Sequence, residues 1–164
     1  MFENVLRPSW RFVLDHPAHF IAFGGGIGLV PWAPGTFGTL LGFPLFWVLV
    51  PHLSPIEFTG ALLVLFVLGV WACAVTGRHI GVADHHGMIW DEAVAFVLVL
   101  WFVPDTGLWQ ALAFVLFRLF DIAKPPPIRH YDRTLHGGFG VMLDDVLAAF
   151  YTLIVLAIVK TTLD

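Results

Sequence analysis

The sequence predicts an all-α integral membrane protein, a bundle of about four or five helices with a Gly/Pro-rich N-terminal segment that is interfacial or re-entrant. Three observations carry this prediction. The chain of 164 residues is 59% hydrophobic and only 12% charged, with a mean hydropathy of +0.86. A soluble domain is about 45–50% apolar and about 25% charged, so these residues cannot cover a water-facing surface. One stretch, IEFTGALLVLFVLGVWACAVT from Ile56 to Thr76, has the apolarity and length of a span, since crossing the hydrocarbon takes about 20 residues. Finally, the other apolar runs are short and stop at charged residues, and a charge at membrane depth is costly and marks function.

The elements follow in chain order. The opening MFENVLRPSWRFVLDHP does not have the form of a secretory signal, because its apolar stretch comes late and is broken by Asp15, His16 and Pro17. Residues 18–39, AHFIAFGGGIGLVPWAPGTFGT, are too short and too broken by Gly and Pro for a span. An irregular backbone at membrane depth has to be buried against protein, hence the interfacial or re-entrant expectation. Phe37 to Val50 is a span containing Gly42 and Pro44, followed by Ile56 to Thr76. Ala93 to Val103 continues a helix that begins near Trp90, and Leu108 to Phe120 and Val146 to Val159 complete the set. Three of these reach span length only by including Asp91 and Glu92, Arg118 and Asp121, or Asp144 and Asp145. The length admits one domain, residues 1–164. The single cysteine, Cys73, excludes an intrachain disulfide and lies in an apolar run as a small core side chain.

Basic residues set the orientation. With five spans and a cytoplasmic N-terminus, Arg7, Arg11, Arg78, Arg118, Lys124, Arg129 and Arg133 fall inside and only Lys160 outside, as the positive-inside rule requires.

Seven of the twelve acidic residues fall on that same side beside helix ends: Asp84, Asp91, Glu92, Asp121, Asp132, Asp144 and Asp145. Carboxylates gathered at low dielectric repel unless a positive charge sits among them. A hard cation with oxygen ligands suits them, Mg²⁺ above Ca²⁺ if a phosphate supplies the remaining ligands. Arg118 and Asp121 share a helix face, Lys124 follows one turn later before Pro125–Pro127, and Arg133 comes after. Arginine grips phosphate oxygens with two N–H groups and lysine acts as a point charge, so the inventory is that of phosphoryl transfer. The glycines of PGTFG and HGGFG would let backbone N–H groups approach an anion. Blander readings stand beside these. Asp91 with Glu92, or Asp144 with Asp145, can simply favour a helix N-terminus, and Arg118 with Asp121 can be a structural ion pair. His85 and His86 are weak metal candidates, and His136 is a candidate for proton transfer. There is no P-loop and no basic stripe, which excludes nucleotide and nucleic-acid readings of these motifs. A carboxylate-lined cation transporter remains an alternative, although it would carry its charges near the midplane rather than at helix ends.

PGTFGT (Pro34 to Thr39), VADHHGMIWDE (Val82 to Glu92) and FRLFDIAKPPPIRHYDRTLHGGFGVMLDD (Phe117 to Asp145) resemble the bacterial phosphatidylglycerophosphatase A family. The similarity runs from about Gly24 to Ala148, and His86 occupies a slot that the family pattern does not require. The resemblance implies Mg²⁺-dependent removal of the terminal phosphate from phosphatidylglycerophosphate, giving phosphatidylglycerol, at the cytoplasmic face of the bacterial inner membrane. The family pattern matches at Asp91, Glu92, Asp144 and Asp145, expected as metal ligands, and at Thr36, Arg118 and Lys124, expected on the substrate, where Arg133, read from the residues, joins them. Asp84, Asp121, Asp132 and His136 are then the catalytic group. A lipid phosphotransferase acting on a CDP-linked substrate is the other enzyme reading, but its spacing of Asp, Gly and Arg along two helices is lacking here. The expected partners are the lipid substrate and the bilayer, with oligomeric state left open.

Overall fold

The computed structural model describes residues 8–163; the side chains of Asp132, Arg133 and Leu163, like Arg7, lie outside what is described. The described chain is all-helical. It begins with two short helices, α1 (Trp10–Asp15) and α2 (Pro17–Ala22), and a 3₁₀ segment (Gly24–Leu29). Six longer or later helices follow: α3 (Pro34–Leu49), α4 (Pro55–Ile80), α5 (Trp90–Phe102), α6 (Gly107–Ala123), α7 (Ile128–Thr134) and α8 (Gly138–Leu163).

The helix ends follow from local chemistry. α4 starts at a reciprocal cap: the Ser54 hydroxyl accepts from Glu57 N, and the Glu57 carboxylate accepts from Ser54 N at 2.8 Å, with Pro55 at the first helical position. It stops at Gly81, whose φ of 87° is left-handed. α6 is capped by Thr106 and ends at Lys124, a non-glycine in the left-handed region with φ 41°, just before the three prolines. α3 opens on Pro34, so PGTFG forms its first turn rather than a loop.

Three helical segments are long and apolar enough to cross a membrane: Pro34–His52, Pro55–Ile80 and Gly138–Thr162. Two of the helices expected to span, α5 and α6, are shorter, at 13 and 17 residues. At 13 residues, α5 reaches only about 20 Å at 1.5 Å per residue. Its apolar character has another cause. Ala93 to Val97, Val99 and Leu100 are all buried, because α5 packs against α3 on one side and α8 on another. A helix apolar all round is a buried helix, and here protein buries it. By contrast, α4 turns Leu63, Val67 and Trp71, spaced four apart, outward at 62%, 65% and 42% exposure, as a lipid-facing stripe does.

Residues 18–39 contain α2, the 3₁₀ turn and the first turn of α3, with irregular backbone at Gly24, Gly25, Gly26 and Ala33, where φ is positive. They are held down by close backbone contact: Ile89 N donates to Ala22 O at 2.8 Å, and a Cβ at Gly87 would come within 2.7 Å of Gly28 O. Arg133 belongs to α7, not to a loop as expected, since the chain re-enters a helix immediately after the prolines.

Gly138 lies where α8 meets α4. A Cβ there would overlap the Val70 carbonyl oxygen and lie 2.7 Å from Ala74 N, which are rigid helix backbone. Gly138→Ala is therefore expected to destabilise by about 1–3 kcal/mol, the range for overpacking. A detergent melting curve should register that loss, whereas Gly60→Ala, with nothing within 4 Å of its Cβ, should not lower the midpoint.

Candidate active site

A cavity of about 280 Å³ opens at the end of the bundle where α5 and α8 begin and α6 ends. Its acidic wall has two sources. The first turn of α5 supplies Asp91 and Glu92, and the second turn of α8 supplies Asp144 and Asp145. Asp91, Asp144 and Asp145 are only 6%, 6% and 4% exposed, so these carboxylates sit in the body of the protein. One oxygen each from Asp91, Glu92 and Asp145 lie within 4.8 Å of one another.

The basic wall comes from the end of α6. Arg118 Nη1 contacts Asp121 one turn later and lies 3.8 Å from Glu92 Oε1. Lys124 Nζ lies 3.1 Å from Asp144 Oδ2. Lys124 can reach α8 because its left-handed cap ends α6 at that point. The prolines beyond are anchored in turn, with the Tyr151 hydroxyl donating to Pro126 O at 2.9 Å.

Two observations fit this acidic wall to a cation. Asp91 Oδ1 and Glu92 Oε2 are buried with no hydrogen-bond partner among the described residues. Buried carboxylate oxygens are rarely left without partners, and an ion supplies what is missing. The donor set is also all oxygen, which suits a hard cation over a transition metal. Asp91, Glu92 and Asp145 are therefore the residues that could hold a divalent ion, with Asp144 beside them on α8.

The other expected site residues are distributed unevenly. Asp84 lines the cavity from the loop after α4, and Asp121 lines it beside Arg118. Thr36 is half-buried in α3 and does not line the cavity; its neighbours Ala33, Pro34 and Gly35 do. His136 is exposed, with Nδ1 3.2 Å from Thr134 O, and is not among the lining residues. The Asp132 and Arg133 side chains lie outside the described residues.

Two lining residues, Gly35 and His86, have a different place from the one their sequence suggested. A Cβ at Gly35 would overlap Glu92 Oε1 and lie 3.0 Å from Arg118 Nη2, so glycine lets α3 close directly over that ion pair. The signal was present as Pro-Gly opening a helix, but a first-turn glycine has no distinctive spacing. The other is His86, which lines the cavity beside Asp84. Its ring stacks on His85, with centroids 4.2 Å apart. Burial pushes the His85 imidazole below its ordinary range, and His86 adds to that shift.

With this geometry in hand, comparison with known proteins is informative. The family model for phosphatidylglycerophosphatase A matches residues 20–160. The phosphatidylglycerophosphatase A of Haemophilus influenzae is 44% identical over 156 residues, covering 94% of each chain. That of Escherichia coli is 39% identical over 139 residues, covering 84% of this chain and 80% of the relative. A Bacteroides thetaiotaomicron protein with the provisional description phosphatidylinositol-3-phosphatase is 39% identical over 162 residues, covering 94% and 96%. No solved structure matches. The chain belongs to the phosphatidylglycerophosphatase A family.

The acidic wall generates a prediction independent of any activity. Titration of the detergent-solubilised protein with Mn²⁺, followed by electron spin resonance, should reveal a bound ion. Glu92→Gln and Asp145→Asn keep shape but lose charge, and each should weaken that binding by at least about tenfold. Wild-type affinity in both folded variants would make the acidic wall structural.

Proposed function

We propose that this chain, through its family membership, is a Mg²⁺-dependent phosphatase that hydrolyses the terminal phosphate of phosphatidylglycerophosphate to give phosphatidylglycerol and phosphate. The observation that carries the reading is the convergence of Asp91, Glu92 and Asp145 within 4.8 Å in one cavity that Arg118 and Lys124 also line. Carboxylates for a metal and cations for phosphoryl oxygens, in a protein with membrane-length helices, fit a lipid phosphomonoester better than a soluble substrate.

In this reading Asp91, Glu92, Asp144 and Asp145 hold Mg²⁺, which when bound supplies Lewis-acid polarisation of the phosphoryl group. Arg118 and Lys124 stabilise charge on the phosphoryl oxygens, with Arg133 as a further cation proposed from the sequence alone. Asp121 orients Arg118 by its ion pair. Asp84, which lines the cavity, takes the proton of the attacking water, and that proton is returned to the glycerol oxygen as its bond to phosphorus breaks, giving the free hydroxyl of phosphatidylglycerol. The role of Thr36 rests on the resemblance, and those of Asp132 and His136 rest on the sequence and the resemblance together.

We further infer one domain over residues 1–164, in the bacterial inner membrane, with the cavity on the cytoplasmic face and residues 18–39 lying at the interface. Arg11, Arg78, Lys124 and Arg129 all belong to one end of the bundle and Lys160 to the other, which supports that orientation.

Phosphate release in detergent micelles tests the activity. Phosphatidylglycerophosphate should be hydrolysed, EDTA should abolish the reaction, and Mg²⁺ should restore it; phosphatidylinositol 3-phosphate tests the second headgroup named among the relatives. Lys124→Ala should lower kcat/KM by about 2–4 kcal/mol of transition-state stabilisation while leaving the Mg²⁺ requirement nearly unchanged. Full activity after verified metal removal would overturn the metal assignment. For topology, cysteines substituted at Asp105 and Arg129 should be labelled from opposite sides of sealed vesicles, and labelling of both from one side would overturn it.

A further inference from the structure

We propose that His86 is a specificity-determining residue: its ring N–H donates to a second anionic group of the headgroup, the phosphodiester that joins it to the diacylglycerol. This rests on the reading above, in which Arg118 and Lys124 take the terminal phosphate.

The substrate class carries two phosphates separated by a glycerol, so a second anionic group lies apart from the one that Arg118 and Lys124 take and offers its own oxygens to a hydrogen-bond donor. The cavity, at about 280 Å³, has on the order of nine times the liquid volume of one water, so it admits more than a single phosphoryl group. Among the described lining residues, the nitrogen-bearing side chains are Arg118, Lys124 and His86. Arg118 is engaged by Glu92 and Asp121, and Lys124 contacts Asp144, so both belong to the acidic wall. His86 reaches the cavity from a different element, the loop between α4 and α5, and is exposed at its rim.

The ring is also pre-positioned. His86 stacks on His85 at 4.2 Å with 28° between planes. His85 is itself fixed, because its Nδ1 accepts from Gly87 N at 3.0 Å and its ring packs near Phe23. The loop is pinned beyond that by Gly87 against Gly28 and by Ile89 N on Ala22 O. A ring held in this way loses little freedom on binding, which favours its use as a contact over a solvated surface histidine. A neutral imidazole already carries one N–H, so no protonation step is needed.

The experiment compares wild type, His86→Ala and His86→Asn in micelles with phosphatidylglycerophosphate. It also measures inhibition by phosphatidylglycerol, which carries only the diester, and by inorganic phosphate, which carries only the monoester-like charge. In His86→Ala the KM should rise about tenfold, as for one hydrogen bond to a charged partner, with kcat within about twofold of wild type. Inhibition by phosphatidylglycerol should weaken by a similar factor, inhibition by phosphate should not change, and His86→Asn should fall between the two proteins. An unchanged KM, an equal weakening of both inhibitors, a loss confined to kcat, or a wild type insensitive to phosphatidylglycerol would each overturn the proposal. A wild type that releases no phosphate would instead overturn the functional reading on which it rests.

Discussion

Three carboxylates within 4.8 Å of one another, on helices that are otherwise apolar, are the constraint around which this molecule is built. At low effective dielectric such charges repel strongly, and a buried charge without a partner is destabilising by several kcal/mol. The surrounding elements each answer part of that problem. Arg118 is anchored to Asp121 and brought to Glu92, and Lys124 is brought to Asp144. Among the described residues, Asp91 Oδ1 and Glu92 Oε2 remain buried without hydrogen-bond partners, and both residues line the cavity. What those oxygens lack is positive charge, and an ion is the economical way to supply it.

The same constraint explains the unequal helices. Because α5 has to begin at the cavity with Asp91 and Glu92, it cannot extend its apolar run in that direction, and it is only 13 residues long. It is protected instead by being central, between α3 and α8. Gly35 permits α3 to lie over Glu92 and Arg118 without a side chain between them. α4 can be a long lipid-facing helix because it carries none of the cavity's carboxylates. Site precision thus comes from helix ends packed in a core, which fixes side-chain geometry better than loops would.

Much of this was legible in the sequence, and the failures have physical causes. The ends of α4 could be read because Ser54, Pro55, Glu57 and Gly81 are all local signals. The three acidic stretches could be read as meeting, because charges are so sparse that their common side stands out. α5 was misjudged as a span because hydropathy does not distinguish a side chain buried in lipid from one buried in protein. α7 was hidden because the prolines before it signal an ending, while the new start after them lacks a side-chain cap. The glycines of PGTFG and HGGFG were read as anion-binding turns, yet Gly35 and Gly138 serve close helix approach. Spacing reveals that a glycine is needed, but only the neighbour across the contact reveals why. The resemblance brought Thr36 forward and the glycine pair beside it brought His136 forward, and neither lines the cavity. Their side chains lack the long reach that lets Arg118 and Lys124 cross to another helix.

Charge at helix ends also distinguishes the proposed reading from the transporter alternative. A transport path needs polar groups along its length, whereas here the described buried carboxylates gather at one end of the bundle. Toward the other end, the core of α5 and its neighbours is apolar: Phe96, Val99, Leu100, Ala113 and Phe117 are all buried. The aromatic packing is dense there, with Phe58 stacked on Trp101 at 3.9 Å and Phe96 against Phe43, Phe114 and Phe117. An ion moving beyond the acidic wall would have to shed its ligands into that layer, at a desolvation cost nothing in the core offsets. In the proposed function, a layer that blocks passage is the right floor for chemistry, since it would keep ion and phosphate at the interface where a lipid headgroup lies. The apolar core and the acidic wall therefore have one logic: the first makes the charges expensive to move, and the second makes them useful where they are.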